Sequence, residues 1–104
     1  MTTCNCIVQA GQISGETQAG LRSRLDAFSQ ASFGSPAEIG WVEIAPGSGY
    51  TATQPSTSSI VSLTADKPLE QSERIPMLRD LCDLWSAETG CSLDEIVGVI
   101  NDPA

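Results

Sequence analysis

Apolar and polar positions along the chain alternate between two periods, and each change of period marks an element. Residues 3–10 (TCNCIVQA) set Cys4, Cys6 and Val8 against Asn5, Ile7 and Gln9 and predict a strand. From Ser14 to Phe33 the period lengthens, with Leu21, Leu25 and Phe28 at helical spacing. Ser14 offers the N-cap of that helix and Gly34 its stop. Residues 38–45 (EIGWVEIA) return as a strand with apolar side chains on both faces. Eleven of the fourteen residues in 46–59 (PGSGYTATQPSTSS) are Pro, Gly, Ser or Thr, which predicts a mobile loop. The next strand is 60–65 (IVSLTA). A helix follows between Glu70 and Thr89, with Met77, Leu78, Leu81, Leu84 and Trp85 on its apolar side. Pro76 is tolerable in its first turn and kinks it if deeper. Gly90 ends the helix, and 95–100 (EIVGVI) form the last strand.

The two halves repeat. Ile13/Leu69, Leu21/Met77, Leu25/Leu81, Phe28/Leu84 and Gly34/Gly90 are each 56 residues apart. Ile39/Ile96 and Val42/Val99 are 57 apart, as one inserted residue in the second connection requires. The pattern predicts an α+β fold: a duplicated β-α-β unit with right-handed crossovers, giving a four-stranded mixed sheet with two helices on one face. The whole chain, 1–104, reads as a single domain, with a first unit over about 2–45, the loop 46–59 and a second unit over about 60–101. Two helices cover only one face of a sheet whose strands look apolar on both. A second copy of the chain is the expected cover.

Composition then narrows the chemistry. At 40% hydrophobic and 17% charged residues, the chain can bury a core. Thirteen acids against five dispersed bases give a net charge of −8, which argues against nucleic acid and anionic membranes as partners. No apolar run reaches the roughly 18 residues of a membrane span. The N-terminus lacks a basic-then-apolar secretory signature, so a cytoplasmic protein is expected. The absence of histidine excludes Ser-His-Asp and Cys-His catalysis and any His-ligated metal. Cys4 and Cys6 share one strand face, while Cys82 and Cys91 lie far off in sequence, with no C-x-x-C spacing. Buried free thiols are expected, a disulfide or metal site being the alternative, and no cofactor or metal is called for.

Four stretches in order resemble the tautomerase superfamily, the fold of 4-oxalocrotonate tautomerase and macrophage migration inhibitory factor. AGQIS is similar to the family's strand–Gly–turn–helix entry. FGSPAEI is similar to the Gly-x-Pro turn of malonate semialdehyde decarboxylase-like members. SSIVSLTADKPLEQSER resembles the third strand running into the second helix, and TGCSLDEIVGVIND the last helix-to-strand junction. The resemblance implies a tautomerase/MIF-like homotrimer with sheets packed around a central barrel. It also implies isomerase chemistry on enols, or the related decarboxylase and 3-chloroacrylic acid dehalogenase chemistries, through an N-terminal proline exposed by removal of Met1. Arginines near the start of the second unit would hold the substrate carboxylate.

This chain departs from that pattern at each working position. Thr2 stands where the family has proline. With Met1 removed it presents a primary amine with an ordinary pKa of about 7.7–8.0; alternatively it merely begins a strand. Lys67, in Asp66-Lys67-Pro68-Leu69, is the cation at the carboxylate-binding position, or else a solvated lysine. Glu38 stands beside Ile39, where the decarboxylase-like pattern places its acid, or simply opens a strand. Tyr50 and Trp41 line a pocket or belong to core and interface. The expected function is therefore proton transfer in, or hydration of, a small enol, keto or unsaturated carboxylic acid. Thr2 and Glu38 would act as catalytic groups and Lys67 and Tyr50 would bind substrate. The alternative is a catalytically silent trimer kept for small-ligand binding or scaffolding. A ferredoxin-like module binding RNA or metal fails on charge and on the missing histidines.

Overall fold

The computed structural model describes residues 2–103. Met1, whose removal the amine reading requires, lies outside the described residues. The elements run β1 (Thr2–Gln9), α1 (Gly15–Phe33), β2 (Ala37–Ile44), β3 (Tyr50–Thr51), β4 (Gln54–Pro55), β5 (Ser59–Thr64), α2 (Gln71–Thr89), a short 3-10 turn (Leu93–Glu95) and β6 (Ile96–Asn101). The main sheet has the order β2-β1-β5-β6. Its outer pairs are parallel and its central pair, β1 with β5, is antiparallel. This is the mixed α+β sheet of a duplicated β-α-β unit.

Local chemistry sets the helix ends. The Ser14 hydroxyl accepts the Thr17 amide at 3.1 Å, and Gly34 closes α1 in the left-handed region at φ 71°. Glu70 and Glu73 form a capping box at the start of α2, and Gly90 ends it at φ 76°. Pro76 falls in the second turn, deeper than the tolerant first positions, so the Ser72 carbonyl loses its amide partner within α2. Both boundaries of α1 and α2 are 56 residues apart, as are their glycine caps. The second connection carries the inserted residue: Ile44 and Asn101, which end β2 and β6 and accept the Ala10 and Ala65 amides at 2.8 Å, are 57 apart, and the 3-10 turn before β6 has no counterpart in the first unit.

One core lies between sheet and helices. Cys4, Cys6 and Val8 of β1 and Val61 and Leu63 of β5 meet Leu21 and Leu25 of α1 and Leu81 and Trp85 of α2. All four cysteines are free. Cys6 hydrogen-bonds to Cys4, and this contact together with burial pushes its thiol above the ordinary range, leaving it an inert packing group. The buried stripe of α1 is Leu21, Leu25 and Ser29. At the repeat spacing, its third position corresponds to Trp85 and not to the half-buried Phe28/Leu84 pair.

Gly98 of β6 belongs to this packing. A Cβ there would lie 2.8 Å from Cys82 Sγ, with Leu81 and Leu78 behind it at 3.9 and 4.0 Å. Gly98→Ala is expected to cost about 1–3 kcal/mol in urea unfolding. Adding Cys82→Ala removes the contact and should restore most of that loss; a double variant as unstable as the sum of the two single effects would refute the clash.

The other sheet face is divided along the strands. Val42, Ile7, Ile60 and Val97 form one rung across all four strands, flanked by Ile44 and Val99. Toward the start of β1 the same face carries Glu38, Thr3, Thr64 and Asn101, then Gly40, Asn5 and Ser62. Only one end of this face is apolar, which corrects the expectation of strands apolar on both faces throughout. The loop 46–59 also holds more structure than its composition implied. Tyr50 and Thr51 pair with Pro55 and Gln54, and the hairpin turns through Ala52 and Thr53 at φ 51° and 63°. Two-residue hairpins need such angles, although Ala and Thr rarely supply them. The Gln12 amide donates to the Thr57 carbonyl at 2.7 Å. The Glu95 carboxylate is held below its ordinary range by the Thr57 hydroxyl, with help from Ser92, and anchors the loop's end.

Candidate functional site

The register decides which sequence-derived candidates can meet. Thr2 opens β1 opposite Ala37, and Glu38 faces Thr3 one step further along β2. Thr3 pairs with Thr64 near the end of β5, so the chain leaving β5 through Ala65, Asp66 and Lys67 emerges beside Thr2. Thr2, Glu38 and Lys67 therefore share one end of the sheet. Tyr50 does not. It lies on the β3–β4 hairpin at the far end of β1, roughly 23 Å away along an eight-residue strand, and is 66% exposed.

Thr2 is 1% exposed, and its side chain points into the helix layer with Cys4 and Cys6. Its backbone N–H donates to the Pro36 carbonyl at 3.1 Å. Its hydroxyl hydrogen-bonds to that of Ser29, with the Pro36 carbonyl at 3.4 Å as a longer partner. Ser29 donates onward to the Ser35 carbonyl at 2.7 Å, and Asp26 accepts the Ala37 amide at 3.0 Å. The Ser35–Pro36 turn is thus held from α1 by two side chains. Glu38 leaves β2 on the opposite face from the Thr2 side chain and is exposed, as is Lys67.

Sequence reasoning missed two contributors. Arg74, at the start of α2, pairs with Asp102 at 2.5 Å and donates to the Leu69 carbonyl at 3.1 Å and to Gln71 at 2.8 Å. Asp102 also accepts the Leu69 amide at 3.1 Å, so this pair braces the segment that carries Lys67. A cation near a helix N-terminus opposes the macrodipole and gave no local signal, since its partner is 28 residues away. Ser29 is the second; its only hint was a hydroxyl four residues after Leu25 on an apolar stripe. A shallow groove of about 410 Å³, lined by Leu78, Arg79, Cys82, Asp83 and Leu93, lies on the β6 side of α2 and includes none of the candidates. Among the described residues, no three Cys, Asp or Glu side chains gather as a metal site, and no helix is long and apolar enough to cross a membrane.

No family profile matches this sequence, and no curated sequence does. Solved structures do match. Native Ps01740 is 24% identical with a TM-score of 0.89, covering 97% of this chain and 93% of its own. N1, a member of the cis-3-chloroacrylic acid dehalogenase family, is 12% identical at 0.84, covering 97% and 74%. A fused 4-OT that forms a symmetric trimer is 19% identical at 0.80, covering 97% and 85%. The chain has the tautomerase-superfamily fold.

Proposed function

We propose that this protein is a self-associating tautomerase-type enzyme of the cytoplasm, a single domain acting on small enol, keto or unsaturated carboxylic acids. The observation that carries this reading is the convergence of the Thr2 nitrogen and Lys67 at one end of the sheet. With Met1 removed, the Thr2 amine keeps one N–H on the Pro36 carbonyl and turns its lone pair to the substrate. It accepts the enol hydroxyl proton; the resulting ammonium returns a proton to carbon, and the amine is regenerated. Lys67 holds the carboxylate as a point charge on the Arg74-braced segment. Glu38, on the open sheet face, orients water in a hydration reaction. Tyr50 lies too far from Thr2 of its own chain and serves the site of a neighbouring copy. Four free cysteines accord with a reducing compartment.

Ultraviolet-monitored ketonisation of an aryl enol-pyruvate, with removal of Met1 verified by intact mass, tests the reading. A saturable rate that falls at least 100-fold on acetylation of the Thr2 amine is expected. A rate indifferent to acetylation would remove Thr2 from the chemistry. A second reading, a silent trimer that binds small acids without turning them over, draws on the full hydrogen-bonding of Thr2 at both nitrogen and hydroxyl. It predicts no rate above buffer, together with saturable binding of a carboxylic acid that weakens in Lys67→Ala.

A further inference from the structure

Ser29 is fully buried on α1, at the position where the second half of the repeat places Trp85. A core site that accepts an indole in one unit holds a hydroxyl in the other, and that hydroxyl has one use on this side of the sheet. Its own hydrogen goes to the Ser35 carbonyl at 2.7 Å, so its oxygen receives the hydrogen of Thr2 Oγ1. The Thr2 nitrogen meanwhile donates to the next carbonyl, that of Pro36, at 3.1 Å. Nitrogen and hydroxyl are two substituents on adjacent carbons of one residue. The hydroxyl bond anchors the side chain and with it Cα, which keeps the nitrogen within reach of the Pro36 carbonyl; the N–H bond to that carbonyl then sets rotation about N–Cα and the direction of the nitrogen lone pair.

We propose that Ser29 is a positioning residue: through the Thr2 hydroxyl it holds the terminal amine in the orientation the chemistry needs. The proposal rests on the amine reading above. Removing Met1 deletes the peptide bond that would restrain Thr2 from its N-terminal side, and a primary amine on a free chain end rotates. A ring would stop that rotation covalently. Here the side chain, hydrogen-bonded to a fully buried helix residue, keeps the nitrogen at the Pro36 carbonyl, and the N–H bond to that carbonyl stops the rotation. Thr2 and Ser29 thus form one functional unit across 27 residues of sequence.

The test uses the intact protein lacking Met1, with Thr2→Val, Thr2→Ser, Ser29→Ala and the Thr2→Val/Ser29→Ala double variant. Each keeps a small second residue that permits methionine removal. The residue-2 amine is labelled with N-hydroxysuccinimidyl acetate and followed by peptide mass, while ketonisation is measured in parallel. Thr2→Val and Ser29→Ala are each expected to speed labelling at least fivefold, with Lys67 labelling unchanged. Both should lower kcat about tenfold with KM within twofold. Thr2→Ser, which keeps the hydroxyl, should label at the native rate, and the double variant should match either single one, as a shared bond requires. Labelling within twofold of native in Ser29→Ala, or effects that multiply in the double variant, overturns the proposal. If ketonisation is absent or survives acetylation, the amine reading fails instead, and the labelling rates still decide whether Ser29 holds the amine.

Discussion

In analytical ultracentrifugation the native protein, on the proposed self-association, is expected to sediment as three 10.9 kDa subunits, and Ile60→Asp combined with Val97→Asp as monomers. Ile60 and Val97 sit side by side on the apolar rung of the open sheet face, 37% and 47% exposed, with Val42 at 51% beyond Ile7 on the same rung. Each such side chain contributes about 1.5–3 kcal/mol when fully buried. Three copies meeting on this rung would therefore gain a substantial fraction of a subunit's own stability. An aspartate in the same place loses that gain and adds an unpaired carboxylate whose desolvation costs several kcal/mol. In the expected trimer, six new carboxylates on subunits that already carry −8 each would also repel one another. Ser23→Asp, on the exposed outer surface of α1, adds charge without touching the rung and should leave the assembly intact. A native protein that sediments as a monomer would refute the prediction, and so would a double variant that keeps the native mass.

Most of the architecture was legible because it is encoded locally. Alternation around Cys4, Cys6 and Val8 identified β1 and its buried face, and Ser14, Gly34 and Gly90 marked helix ends by cap chemistry that needs no tertiary contact. What local reasoning missed depended on partners distant in sequence. The β3–β4 hairpin turns through Ala52 and Thr53, residues that carry none of the Asn-Gly signal such turns usually show. Hydrophobic spacing chose Phe28 for the buried stripe of α1, whereas burial falls on Ser29, whose hydroxyl is satisfied by Thr2 and the Ser35 carbonyl. Alternation in β5 was masked by the short run IVSLTA, whose Ser62 and Thr64 make one end of the open face polar.

The candidate site was legible as residues and not as a place. That Lys67 emerges beside Thr2 follows from the antiparallel register of β1 with β5, which joins residues about sixty apart. No periodicity within either strand specifies that pairing. The same register sends Tyr50 to the opposite end, a separation invisible while it was only an aromatic residue in a Gly- and Ser-rich stretch. The brace under Lys67 was hidden in the same way. Arg74 and Asp102 are an ordinary exposed cation and anion until α2 and the end of β6 converge.

Trp85→Ala is expected to cost about 3–5 kcal/mol, enough to bring a domain of this size close to its unfolding threshold at 25 °C. Trp85 is the largest fully buried side chain among the described residues, and its ring stacks on Trp41 with centroids 6.1 Å apart and planes at 21°. Its repeat-equivalent in α1 is the small Ser29, so the second unit alone carries a large ring at this core position. Trp85→Phe separates volume from polarity. The indole N–H has no hydrogen-bond partner within the described residues, so phenylalanine loses ring volume but also removes a buried donor that gains nothing. Trp85→Phe is therefore expected to cost less than about 1.5 kcal/mol, a gap of at least twofold from alanine. Urea unfolding followed by the fluorescence of Trp41, which is then the only tryptophan, measures both variants. A phenylalanine variant as unstable as the alanine one would mean that the indole N–H makes a bond the packing depends on. An alanine variant within 1 kcal/mol of native would mean that α1, α2 and Trp41 close over the cavity.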